Sequence, residues 1–172
     1  MGTYTLHETV SHDPTAFTQG FVTVEDPNSN QKVIYEGTGM WGDSDLRILA
    51  LDGTVVNRRP IADRFFGEGI AHYKNGDDSV GLLQLTWKAK VVLEYALDTS
   101  SAASTVPLHS NEHSFSTTRN EGWGITYDPV DHVFWVSDGS ATLHRWDATD
   151  RRELSTVQVT YRMPSSLSLI HI

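Results

Sequence analysis

The chain has 172 residues, no cysteine, and 13 Lys and Arg against 22 Asp and Glu, a formal charge of −9. That balance argues against nucleic acid and anionic membrane as partners, which need clustered cations, and the missing cysteine excludes disulfides, thiolate catalysis and cysteine-type zinc sites. No stretch is apolar enough for a membrane span, and the composition is that of one ordered, soluble piece. In chain order, short runs rich in β-branched and aromatic residues predict strands at Gly20–Val24, Lys32–Tyr35, Leu46–Leu51, Val80–Trp87, Val91–Tyr95 and His132–Val136. Turn residues separate them, as in Asp52-Gly53, Asn75-Gly76-Asp77-Asp78 and Asp128-Pro129. No long amphipathic helix is visible. Thr99 to Ser116, rich in Ser, Thr, Ala and His and broken by Pro107, reads as a loop or insertion.

Superimposed on the strands is a repeat. Thr18-Gln19-Gly20-Phe21, Gly67-Glu68-Gly69-Ile70 and Gly122-Trp123-Gly124-Ile125 each set one functional side chain beside glycine and run into an apolar segment, at separations of 49 and 55 residues. Asp turns at Asp52, Asp98 and Asp147 recur in phase, 46 and 49 residues apart. This is the period of a four-stranded propeller blade, so Gln19, Glu68 and Trp123 are expected to converge at the mouth of one central channel.

The ends carry less. Met1-Gly2-Thr3-Tyr4-Thr5-Leu6 has no apolar run of a signal peptide, so the expectation is a cytosolic chain or one whose leader lies outside these residues. The regular pattern stops near Pro164, and residues 165–172 complete no blade.

Six ordered motifs carry a resemblance. His12-Asp13-Pro14-Thr15-Ala16-Phe17-Thr18-Gln19-Gly20, Tyr35-Glu36-Gly37-Thr38-Gly39-Met40-Trp41-Gly42, Phe66-Gly67-Glu68-Gly69-Ile70, Gln84-Leu85-Thr86-Trp87-Lys88, Glu121-Gly122-Trp123-Gly124 and Val136-Ser137-Asp138-Gly139-Ser140-Ala141-Thr142-Leu143 closely resemble the plant and bacterial type of glutaminyl-peptide cyclotransferase, or glutaminyl cyclase. The resemblance spans about Tyr4 to Met163 and implies an all-β, five-bladed propeller, unrelated to the zinc-dependent animal enzymes of the same activity. It implies Glu68 as the proton-transfer residue, with Gln19, Trp87 and Trp123 around the substrate and Phe17 and Phe66 lining the same pocket. The family's Asn-Glu-Leu-Glu motif, a Trp after it and a later Lys have no counterpart here. The chain is therefore expected to be an incomplete N-terminal portion of about three blades, with a partial domain at 4–164 and a non-family tail at 165–172. Three blades alone would leave open edges and an inactive, poorly soluble product. The implied partners are peptides or proteins with N-terminal Gln. The implied full-length protein is a monomer without metal or other cofactor, in a secretory or extracellular setting.

The chemistry that the resemblance implies is attack of a peptide's α-amine on its own Gln γ-carboxamide, for which orientation and one moved proton suffice. Apolar rings around Glu68 would raise its pKa toward neutrality, although a Glu in a Gly-x-Gly turn can equally be solvated or satisfy its own loop. Trp87 and Trp123 suit the substrate's methylenes or inter-blade packing, while Trp41, Trp135 and Trp146 are assigned to packing. Gln19 can grip an amide or an amine, or serve only backbone groups.

Two other motifs lead elsewhere. Gly37-Thr38-Gly39-Met40-Trp41-Gly42 fits a dinucleotide-binding pattern but runs into loop and strand instead of a helix. His109-Ser110-Asn111-Glu112-His113 fits a metallopeptidase pattern but falls in the expected loop. The rival to catalysis is a propeller that only binds peptides or another protein. A hydrolytic, lactonase-like propeller would need central carboxylates or metal ligands where Gln19 and Trp123 stand.

Overall fold

A computed structural model describes residues 4–25, 32–76, 79–97 and 109–160. Twelve strands run in chain order: β1 (Thr18–Glu25), β2 (Lys32–Thr38), β3 (Asp45–Leu49), β4 (Val55–Pro60), β5 (Gly67–Lys74), β6 (Val80–Thr86), β7 (Val91–Ala96), β8 (His109–Ser114), β9 (Ile125–Asp128), β10 (Val133–Ser137), β11 (Thr142–Asp147) and β12 (Glu153–Gln158). They form three four-stranded antiparallel sheets, β1–β4, β5–β8 and β9–β12, each a meander in which neighbours in sequence pair. No helix occurs among the described residues, so none is long and apolar enough to cross a membrane.

The two-residue period of a strand decides where the cores form. In β6, Leu82 points into a cluster with Leu46, Ile48, Ile70 and Tyr95 between the first and second sheets, while Leu83 and Leu85 point the other way, into a cluster with Phe134, Val136 and Trp146 between the second and third. The second sheet has neighbours on both faces and buries β6 almost throughout, which is why β6 and β7 are mostly apolar. The outer strands β4, β8 and β12 are mostly exposed and polar.

β8 corrects the expectation of a loop over Thr99–Ser116. His109–Ser114 pairs with β7, and the outermost place it occupies in its sheet imposes no apolar pattern on it. The remainder of that expectation at 99–108, the Asp98 turn, Asp77-Asp78 and the tail from 161 lie outside the described residues.

Glycine brings the three inner strands together. A Cβ on Gly20 would lie 2.6 Å from the Ile70 nitrogen and 3.1 Å from the Gly69 Cα; one on Gly69 would lie 2.6 Å from the Trp123 oxygen and 3.0 Å from the Gly124 Cα. Backbone therefore meets backbone from β1 to β5 to the start of β9, at the glycine that follows the functional side chain of each repeat. Arg151 ties the third sheet to the second, reaching from the β11–β12 turn to Glu94 and to the Tyr73 hydroxyl, and within the second sheet the buried Tyr95 hydroxyl donates to Gln84 at 2.7 Å.

Candidate active site

Two bulges aim the side chains of the first two repeats. The β1–β2 register shifts between Thr18 and Gly20, and the β5–β6 register shifts between Gly67 and Ile70. Gln19 and Glu68 thus fall where an extra residue interrupts the ladder, which turns their side chains out of the regular alternation. The surrounding backbone repeats too: Gly39 N–H donates to the Phe17 carbonyl at 2.8 Å and Trp87 N–H to the Phe66 carbonyl at 3.0 Å. Trp87 also accepts from Gly122 N–H at 2.9 Å, which ties the end of β6 to the segment that carries Trp123.

These segments enclose one open cleft of about 230 Å³, lined by Phe17, Gln19, Phe66, Glu68, Trp87 and Trp123. The fold therefore gathers all six side chains singled out from the sequence, drawn from loops and strand starts of all three sheets. Phe66 is the hub of the apolar wall, edge-on to Phe17 at 6.3 Å and to Trp87 at 5.6 Å between ring centroids. Trp123, 45% exposed, lies over the Gly139 turn, where even a Cβ would come within 2.8 Å of the indole. Asp138, fully buried, fixes that turn by accepting from Arg119 N–H at 2.7 Å and from the Ser140 hydroxyl at 2.6 Å.

Glu68 is only 8% exposed. Burial, and secondarily the charge of Glu121, pushes its pKa from an ordinary 4.5 to about 8, so at neutral pH the carboxyl holds its proton. Glu121 behaves oppositely. Its Oε2 accepts from the indole N–H of Trp123 and of Trp87, each at 2.9 Å, and these bonds, with the nearby charges of Lys88 and Arg119, hold it below the usual carboxylate range. Among the described residues, no three of His, Asp and Glu gather as metal ligands would.

Two residues at this site escaped the sequence reading. Trp41, assigned to packing, is 52% exposed and stands edge-on to Phe66 at 5.7 Å and 6.4 Å from Trp87, so it extends the aromatic wall outward. Its turn is fastened by Ser44, whose Oγ accepts from Met40 N–H and donates to the Met40 carbonyl, both at 2.7 Å. In the sequence Glu121 stands out only as part of the Glu-Gly-Trp-Gly motif. Its place two residues before Trp123 was the available signal. Trp146, by contrast, is buried at 1% exposure among core side chains, as the packing assignment requires.

Meandering four-stranded sheets whose inner strands meet at glycine, with a protonated carboxyl in an aromatic cleft at their ends, define a propeller-like protein with its candidate site at the strand starts. The chain belongs to the glutamine cyclotransferase family, whose profile matches residues 1–169. Among solved structures it is similar to the glutaminyl cyclase of Myxococcus xanthus, with a TM-score of 0.67 and 26% identity over 88% of this chain and 54% of that one. The chain thus spans about half the length of that enzyme. A protein of unknown function from Bacteroides caccae shares the fold alone, with a TM-score of 0.52 and 8% identity over 86% of this chain and 48% of that one. No curated protein matches the chain.

Proposed function

We propose that this chain carries part of a glutaminyl-peptide cyclotransferase that converts the N-terminal Gln of peptides and proteins to pyroglutamate, releasing ammonia by metal-independent acid–base catalysis. The observation that supports this most is Glu68, a buried carboxyl with a pKa of about 8 facing an aromatic cleft in a chain of this family. A peptide α-amine titrates at about 7.7–8.0, so a proton passes between it and Glu68 with little change in free energy.

The α-nitrogen attacks the Gln Cδ. As that C–N bond forms, the Glu68 carboxyl gives its proton to the departing nitrogen, which leaves as ammonia when its bond to Cδ breaks, and the resulting carboxylate takes the proton that the attacking nitrogen sheds. Glu68 ends as it began. Phe66, Trp87 and Trp123 bury the Gln methylenes, worth about 0.8 kcal/mol for each CH₂, and hold the side chain folded back on the amine. Gln19 is the polar group across the cleft that can grip the substrate's amide or amine. Three sheets in a chain spanning 54% of the Myxococcus enzyme are in keeping with a five-bladed parent protein.

The test is ammonia release from a short peptide with N-terminal Gln, using the parent protein recovered at full length beside its Glu68→Gln variant. A rate lowered at least about 10²-fold in the variant supports the assignment. A folded protein that binds the peptide without turnover is instead a peptide-binding module, and turnover indifferent to the substitution removes Glu68 from its role.

A further inference from the structure

We propose that Glu121 is a positioning residue of this site: one carboxylate oxygen fastens the indole N–H groups of both Trp87 and Trp123, and its negative charge faces Glu68. The inference deepens the reading of Glu68 as the proton-transfer group and rests on it.

The backbone that presents Glu121 has little freedom. Glu121 N–H donates to the Thr117 hydroxyl at 3.1 Å, and that hydroxyl donates to the Glu121 carbonyl at 2.8 Å. Next to it, Gly122 is wedged so that a Cβ would meet the Phe115 ring at 2.8 Å and the Thr86 carbonyl at 3.0 Å. The carboxylate is therefore an anchored point, and two rings from different sheets converge on its Oε2 at 2.9 Å each. An indole has a single donor, so this one bond restrains how each ring is turned toward the cleft. Bonds to an ionised acceptor are the stronger kind.

The charges are arranged to match. From β1 the group facing Glu68 across the cleft is the uncharged Gln19. From the end of β6 it is Trp87, with the Lys88 ammonium 3.8 Å above that ring, and from the segment before β9 it is Trp123 with Glu121 beside Arg119. Lys88 and Arg119 both favour the Glu121 anion, while Glu121 is the charge that acts on Glu68. Two neighbouring carboxyl groups are thus driven apart, one kept ionised and one kept protonated, which is the pattern by which acid and base roles are separated.

Two variants divide the charge from the clamp, and both readouts are independent of turnover. In Glu121→Gln the carboxamide oxygen can still accept from both indoles, so the Trp87 and Trp123 indole N–H resonances hold their positions while the Glu68 ¹³C carboxyl titration moves down by about half a unit or more. In Glu121→Ala both indole resonances shift toward that of a water-exposed indole, with the buried Trp146 resonance unmoved as the report of an intact fold. An unchanged Glu68 midpoint in Glu121→Gln overturns the proposal, as does Glu121→Ala with both indole resonances unmoved. Should the alanine variant lose the Trp146 signal, the glutamine variant decides alone. A full-length parent protein that shows these shifts but no ammonia release defeats the cyclotransferase reading and leaves the Glu121 coupling standing.

Discussion

The amide of Gly69 donates to the carbonyl of Trp123 at 2.8 Å, so the residue after the candidate proton-transfer group is bonded directly to the residue that forms the opposite wall of the cleft. All the contacts that a Gly69 Cβ would meet, at 2.6 to 3.1 Å, are backbone atoms, which cannot swing aside. Gly69→Ala is expected to push β5 and the start of β9 apart, costing about 1–3 kcal/mol and widening the distance between Glu68 and Trp123. The urea midpoint measures the first effect. The second appears as a loss of activity beyond what the unfolded fraction explains.

The pKa of Glu68 makes stability depend on pH in a definite direction. A carboxyl raised from 4.5 to about 8 on folding binds its proton more tightly in the native state. Between those values the folded protein therefore holds more protons than the unfolded one, and stability falls as pH rises from about 4.5 to 8. Glu68→Gln removes that loss. It is expected to match the wild type at pH 4 and to exceed it at pH 9 by a few kcal/mol, read from denaturant midpoints at the two pH values. Equal stabilities at pH 9 would contradict the burial of an ionisable group at this position.

Glu94 acts with the opposite sign. Burial pushes its pKa up, but hydrogen bonds from Tyr73 and His113, the Arg151 charge and the Asn111 bond outweigh it and bring the group to about 2. Its contribution is present above pH 4.5 and drains away as pH falls toward 2. Glu94→Gln is expected to flatten this acid limb of the stability curve. Arg151→Met, which leaves the Glu94 carboxylate without its cation, is expected to cost about 3–5 kcal/mol at neutral pH.

Trp41 tests the outer part of the aromatic wall. Its ring touches Phe66 and Trp87 yet is half open to solvent, so Trp41→Ala removes little core packing and is expected to leave the melting temperature within a few degrees. If peptide substrates lie along this wall, KM rises by roughly 1 kcal/mol, about five-fold, with kcat little changed. A fall in kcat at unchanged KM would place Trp41 with the reacting groups instead.

Much of the fold was legible because strands with neighbours on both faces must be mostly apolar, as β6 and β7 of the second sheet are. The repeated glycines marked the inner strands for a related reason, since at Gly20 and Gly69 backbones that meet closely leave no room for a Cβ. The outer strands β4, β8 and β12 escaped notice, being held by hydrogen bonds to a neighbour rather than by burial, so Val-Val-Asn-Arg-Arg-Pro and His-Ser-Asn-Glu-His-Ser carry no period to read. The repeat, the all-β class and the grouping of the glycine-flanked side chains are all legible along the linear chain. That Glu68 loses its water and keeps its proton, that Glu121 joins two indoles and that Trp41 stands against the rings of the cleft emerge from the folded chain alone. Desolvation, charge proximity and ring contact depend on distances between residues far apart in the chain, and folding alone sets those distances.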